Sequence, residues 1–434
     1  MTNVANPEGH AENGKKTKLE IDELIITVIM ARVTDYFGFF VYAFASVLVF
    51  PRIFFSNHDP ATAMLLSFAV FPVAFLARPF ASQAFKLLER QVGRSGKITI
   101  ALFILGGSTM AIGLLPTYQT AGILAPALLV LFRIGQGIGL GGSWDGMTLL
   151  LQTHAPDRSK GWYAMIPQLG APLGLCVAAA IFYVMTGFLT EEEFITFGWR
   201  WPFFAVLAVN IVSLFARLQL IHSEGHEILK EEAQLKSSLF FEMLSVHWKD
   251  VLLATFLPLA SYAILHMVTV FPLAYEYLRT DEPTSDFMLL LLLGGVISIP
   301  AVVISGLLSD RFGRRRMLAI VSVLIGVFSF MVTTLLTNGV TYVLIGYVLL
   351  GLSYGQASAI LPNRFQQKYR YTGAALATNL SWIFGAAFAP LVALGLSLSF
   401  GLTFAGLYLL SGALVTLLAL ALLTYRERRQ AERS

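Results

Sequence analysis

The chain has 434 residues, of which 56% are hydrophobic and only 13% charged, and its mean hydropathy is +0.71. No soluble core hides that much apolar surface, so composition excludes a soluble globular domain and points to a protein that crosses a membrane many times. The formal charge of +4 and pI near 9.0 would suggest a nucleic-acid partner in a soluble protein, but here the placement of the charges counts for more than their sum, and no nucleic acid is expected.

In chain order, residues 1–20 read as a polar tail with Lys15, Lys16 and Lys18, and no cleavable signal peptide is expected ahead of the first apolar run. Apolar runs long enough to cross about 30 Å of hydrocarbon as helices lie near 21–50, 60–85, 97–116, 121–152, 161–188 and 199–220. The interval 221–250, containing "HSEGHEILKEEAQLKSS", is the long polar break of the interior and reads as a linker. Six further runs follow near 251–278, 286–309, 317–337, 341–362, 372–397 and 401–425, and 426–434 is a short basic tail. The spacing therefore predicts an all-α membrane protein of twelve helices in two six-helix bundles, 21–220 and 251–425. The single cysteine, Cys176, falls inside an apolar run and reads as a small buried hydrophobe.

Placing the N-terminus inside puts 23 of the 30 basic residues in inner segments, against three, Arg52, Arg200 and Arg279, in outer ones. The excess of lysine and arginine orients both termini toward the cytoplasm. Four arginines, Arg32, Arg78, Arg133 and Arg217, fall within apolar runs. Arg78 and Arg217 sit toward inner ends, where a long side chain can reach the interface, and snorkelling is the expectation for both.

Arg133 belongs to "FRIGQGIGLGGSWDGM", 132–147, which holds six glycines. Gly137 to Gly142 fits the GxGxxG turn of dinucleotide sites, but that turn needs a soluble strand–turn–helix context, which is missing. Small residues at such spacings instead let one membrane helix approach another closely. Arg133 lies about 15 Å from the outer end of its span, near the midplane, where a buried charge needs a partner, a cavity or an anionic ligand. It is a candidate substrate-binding residue, with Gln136 one turn beyond. In the first span Arg32 and Asp35 are three apart and share a face, so they can pair or point into a central cavity. Small shifts of geometry there would move the aspartate's proton, as proton coupling requires. His266, mid-span in the seventh helix, is a second proton-coupling candidate, because histidine ordinarily titrates near neutrality. Gln168, beside Pro167 in the fifth helix, is a further substrate-binding candidate, and Asp145 is expected in a gating contact with the basic loop of the same half.

The two halves echo one another. "KLLERQVGRSGK", 86–97, and "GLLSDRFGRRRM", 306–317, share an ending that sets Gly93 against Gly313. The second of these resembles the inner-loop signature of the major facilitator superfamily, Gly-x-Leu-x-Asp-Arg-x-Gly-Arg-Arg/Lys. Arg133-Ile134-Gly135-Gln136-Gly137 and "RYTGAALATNLSWIFGAAFAPL", 370–391, are similar to segments of its metabolite:proton symporter family, which includes carriers of citrate, 2-oxoglutarate, shikimate and proline/betaine. The resemblance implies a major facilitator fold, gating by Asp310, Arg311 and Arg314 in the second loop and by Arg90 and Arg94 in the first, and a site that includes Asn379 and Trp382. It departs from the pattern where the first loop reads Arg90-Gln91 in place of Asp-Arg, and where the first helix reads Asp35-Tyr36-Phe37-Gly38 in place of Glu-Trp-Tyr-Asp.

Two midplane arginines favour a carboxylate, since guanidinium pairs well with it. The expectation is a proton-coupled symporter of a small organic anion that works by alternating access, with a zwitterionic osmolyte, a proton-antiport exporter and a non-transporting sensor as the alternatives. No cofactor, metal or enzymatic activity is expected. The partners are the substrate, protons and the lipid bilayer, and the chain is expected to be a monomer.

Overall fold

The computed structural model describes residues 7–143, 146–222, 240–279, 284–336, 338–357 and 365–432. Among these, every regular element is helical. Hydrocarbon offers no hydrogen-bond partner to an open backbone, so each crossing must satisfy its amides within itself.

The first helix, α1, runs Pro7–Leu48, starting well before the expected span, and its stretch Ile21–Leu48 is apolar enough to cross. The next apolar stretch, Pro60–Gly113, would be about 80 Å long as one helix, far more than a bilayer. It divides at Gly93, whose φ of 74° ends one helix and begins another, giving α2 (60–92) and α3 (94–113). Then come α4 (Leu124–Thr153), α5 (Asp157–Phe188) and α6 (Arg200–Ile221). The second half supplies α7 (Glu242–Tyr277), α8 (Thr284–Phe312), α9 (Arg314–Thr334), α10 (Gly339–Ala357), α11 (Gln367–Phe400) and α12 (Leu402–Ala431). Among the described residues twelve spans in two six-helix bundles result, as the apolar runs predict. Gly313, the counterpart of Gly93, also has a positive φ, 87°, so the two loops turn in the same way.

Three glycines of α4 meet backbone. A Cβ on Gly137 would stand 2.2 Å from the carbonyl oxygen of Ala74 in α2, one on Gly139 2.6 Å from Leu105 in α3, and one on Gly141 2.6 Å from the Arg78 carbonyl oxygen. The glycine run is therefore a packing seam that draws α4 between α2 and α3.

Between the bundles, α1 packs on α7, α2 on α11, and α5 on α8. The ends of the molecule differ. At the basic end, which carries Lys86 to Lys97 and Arg311 to Arg316, Gly161 of α5 lies against Gly306 of α8 so closely that a Cβ on Gly161 would be 2.6 Å from the Gly306 oxygen. At the opposite end a cleft of about 800 Å³ separates the bundles. Two helices are irregular near the centre. α7 is interrupted at Pro258 and Thr269, leaving the fully buried piece Leu259–Val268, and α11 widens into a π-helical turn, Ile383–Ala387, just after Trp382.

Candidate functional site

A cavity of about 70 Å³ lies near the centre on the basic-end side. α1 contributes Arg32, Asp35, Tyr36 and Phe39, α2 contributes Phe75 and Arg78, α6 contributes Arg217, and Trp382 enters from α11 of the other bundle. The helical repeat explains the grouping: on α2, Phe75 and Arg78 are three apart and share one face.

Two guanidiniums pair with one carboxylate, and a third lines the same cavity. Arg217 Nη2 lies 3.2 Å from Asp35 Oδ1 and Arg32 Nη1 3.6 Å from Asp35 Oδ2. Arg217 also donates to the carbonyls of Ser143 at 3.2 Å and Ala31 at 3.3 Å, which fixes it to α4 and α1. Arg78 has no carboxylate within ion-pair distance among the described residues, and its Nε, like that of Arg32, is buried without an acceptor. With Asp35 ionised, the cluster holds an excess of two positive charges. Arg78 and Arg217 thus do not snorkel: both face the cavity, and Arg217 is only 2% exposed.

An aromatic layer caps the cavity. Trp382 stacks on Phe75 at 5.4 Å and 11°, with Tyr262 at 4.9 Å and Phe39 at 5.6 Å. Arg32 donates to the Tyr36 hydroxyl at 3.3 Å, and that hydroxyl meets the hydroxyl of Tyr354 from α10, so a polar contact joins the bundles. His266 lies beyond this layer, fully buried, its ring 5.6 Å from Phe39 and 5.1 Å from Phe71, with neither nitrogen hydrogen-bonded among the described residues.

Arg133 takes a different position from the one its depth suggests. Its Nε and Nη2 donate to the Phe71 carbonyl at 3.3 and 3.1 Å and its Nη1 to Gln136 Oε1 at 2.8 Å, while the guanidinium lies 3.6 Å from the centre of the Tyr42 ring. Gln136 passes the chain on to Thr109 at 2.8 Å. Both residues are buried within the first bundle and outside the central cavity. Gln168 is buried in the turn Ile166–Leu169, packed on α1, and also does not line that cavity. Asn379 lines a neighbouring chamber between α2 and α11.

The gating candidates divide in the same way. The Asp310 carboxylate accepts from the backbone amides of Gly161 at 2.5 Å and Trp162 at 3.0 Å, clamping the end of α8 to the start of α5. Gln356 of α10 adds a bond to the Gly161 carbonyl at 3.3 Å. Arg311 is exposed beside the Phe312 ring, Arg314 is half-buried at the start of α9, Arg90 is exposed and Arg94 half-buried. Asp145 lies outside the described residues. At the cleft end, Arg52 pairs with Glu191 and stands over the Tyr277 ring of the other bundle at 5.5 Å. The remaining charged groups of the cleft, Glu276 and Asp286, are acidic, so the positive excess belongs to the central cavity.

Comparison with known proteins agrees with this architecture. The chain is 38% identical over 421 residues to the inner membrane metabolite transport protein YhjE of Escherichia coli K12, covering 94% of this chain and 95% of that one. It is 30% identical to the shikimate transporter of the same organism, covering 91% and 93% of the two chains, and 28% identical to the proline/betaine transporter of Salmonella typhimurium LT2, covering 83% and 75%. The crystal structure of a D-xylose-proton symporter superposes with a TM-score of 0.70 at 16% identity, over 92% of this chain and 96% of that one, a likeness of fold. The sequence profile of the Major Facilitator Superfamily matches residues 35–381, most of the chain, and the protein belongs to that family.

Proposed function

We propose that the protein is a proton-coupled symporter that carries a small organic anion bearing a carboxylate across a bacterial inner membrane by alternating access, with both termini in the cytoplasm. The observation that carries this reading is the cluster of Arg32, Arg78 and Arg217 around Asp35 in a cavity closed by Trp382 of the opposite bundle. A sugar has no use for two uncompensated positive charges, whereas a carboxylate pairs with guanidinium at short range. The names of the relatives, a metabolite carrier and a shikimate carrier among them, support the same class.

The coupling follows from competition. Asp35 and the substrate's carboxylate seek the same guanidiniums, so a proton on Asp35 releases Arg32 and Arg217 to the substrate. By linkage, the bound anion then favours the proton to the same degree. Proton and anion travel together. Rocking releases the Asp310 clamp at the basic end and closes the cleft at the other.

A zwitterionic osmolyte is the second reading. It is favoured by the rings of Tyr36, Phe39 and Phe75 beside Trp382, which can face a quaternary ammonium, and by the proline/betaine relative. Uptake into proteoliposomes under an imposed proton gradient separates the two. Accumulation of di-, tri- or aromatic carboxylates, abolished by a protonophore, is the expected result; accumulation of betaine alone would favour the second reading, and gradient-driven uptake of neither would refute both.

A further inference from the structure

Toward the basic end, a second chamber adjoins the central cavity, lying between α2 and α11, and the two share Arg78 and Leu140. Its other charged side chains are Lys86, Glu89 and Lys97. Lys97 Nζ lies 3.0 Å from Glu89 Oε2, and that pair neutralises itself. Lys86 donates to the Thr372 hydroxyl of α11 at 3.4 Å, reaching across from one bundle to the other, and among the described residues neither Lys86 nor Arg78 has a carboxylate within ion-pair distance. Asn379 stands on the opposite wall as a neutral hydrogen-bonding group.

Two positive charges in a half-buried chamber are costly unless water or an anion answers them. The arrangement along α2 also has an order: Arg78 borders both cavities, whereas Lys86, two turns further on, borders only the second. A carboxylate leaving the central cavity can move from one side of the Arg78 guanidinium to the other without losing its counter-charge, and meets the Lys86 ammonium before it reaches solvent.

We propose that this chamber is a second binding site, a transit station for the substrate's carboxylate between the central cavity and the basic-end solution, held by Arg78 and Lys86. The proposal rests on the organic-anion reading above. It makes Lys86 a determinant of affinity from one face of the membrane only. Its contact with Thr372 also gives Lys86 a place in the closure between the bundles, so the test must separate charge from contact.

The experiment uses the full chain in oriented proteoliposomes, with radiolabelled succinate, citrate and benzoate as probes and half-saturation measured separately from the basic-end face and the cleft face. Lys86→Gln is expected to raise the basic-end half-saturation concentration about tenfold, the loss of one charge-assisted contact, and to leave the cleft-face value unchanged. Lys86→Arg should restore it, and Thr372→Val, which removes the contact and keeps the charge, should not reproduce the defect. Equal effects at both faces, no effect at either, or the same effect from Thr372→Val would overturn the transit station and leave the central site standing. Wild-type protein that carries none of the three probes would overturn the organic-anion reading, and the station with it.

Discussion

Asp35 holds two guanidiniums, and on the proposed organic-anion reading its protonation state decides whether the substrate can claim them. Asp35→Asn is therefore expected to abolish accumulation driven by a proton gradient while preserving substrate exchange, measured by counterflow. Undiminished accumulation would move coupling to His266, which sits unbonded beyond the aromatic layer. Arg133 illustrates the limit of reading depth from sequence. Its distance along α4 marks it as a mid-membrane charge needing compensation, and the compensation turns out to be a carbonyl, an amide and the face of Tyr42 inside its own bundle. Arg133→Lys gives up the planar fork and the stacking, and is expected to lower unfolding stability by about 1–3 kcal/mol while leaving KM for the carboxylate unchanged. Thermal unfolding beside uptake kinetics checks this; a raised KM at unchanged stability would return Arg133 to the binding site.

At the scale of elements, the helices were legible because hydrocarbon enforces length and apolarity together, and each run of about twenty residues announced a crossing. What sequence could not supply was the direction in which a side chain faces. Arg78 and Arg217 lie at depths from which a long side chain can snorkel, yet the helix rotation that turns them inward is set by neighbours. Two clues were present. Arg78, Ser82 and Lys86 form one helical stripe on α2, and Asn210, Ser213 and Arg217 form another on α6 that is buried throughout. A stripe of polar groups in a membrane helix points to protein or water, not lipid. The glycine seam of α4 was readable as packing from its composition, and its partners on α2 and α3 only from the structure. Gly137→Val would drive a side chain into the Ala74 carbonyl and is expected to cost about 1–3 kcal/mol of stability, seen as reduced folded protein at the membrane and a lower unfolding temperature. Normal yield and thermal stability would show that the seam is loose.

At the scale of the whole molecule, the bundles are clamped at the basic end and parted at the other, with the central cavity too small to hold a metabolite in this state. Entry of substrate therefore requires further opening. The duplicated loops are unequal in this respect: the second retains an aspartate that ties α8 to α5, whereas the first offers Arg90-Gln91 at the matching place. Closure at the basic end accordingly leans on Asp310. Asp310→Asn weakens a carboxylate that accepts two backbone amides, and is expected to raise hydrogen–deuterium exchange across 157–165 and 306–314. Unaltered exchange in both segments would show that the clamp lies elsewhere. The sequence alone revealed the duplication and the odd loop, while the pairing of Asp310 with the start of α5 required the fold.

The central claim is that the arginine cluster, and not Arg133, receives the substrate's carboxylate, and Arg78 tests it most directly because no ion pair of its own is lost on substitution. Measured in proteoliposomes, Arg78→Gln should raise KM for carboxylate uptake about tenfold from either face, with folded protein at wild-type levels. An unchanged KM in a well-folded Arg78→Gln protein would contradict the account.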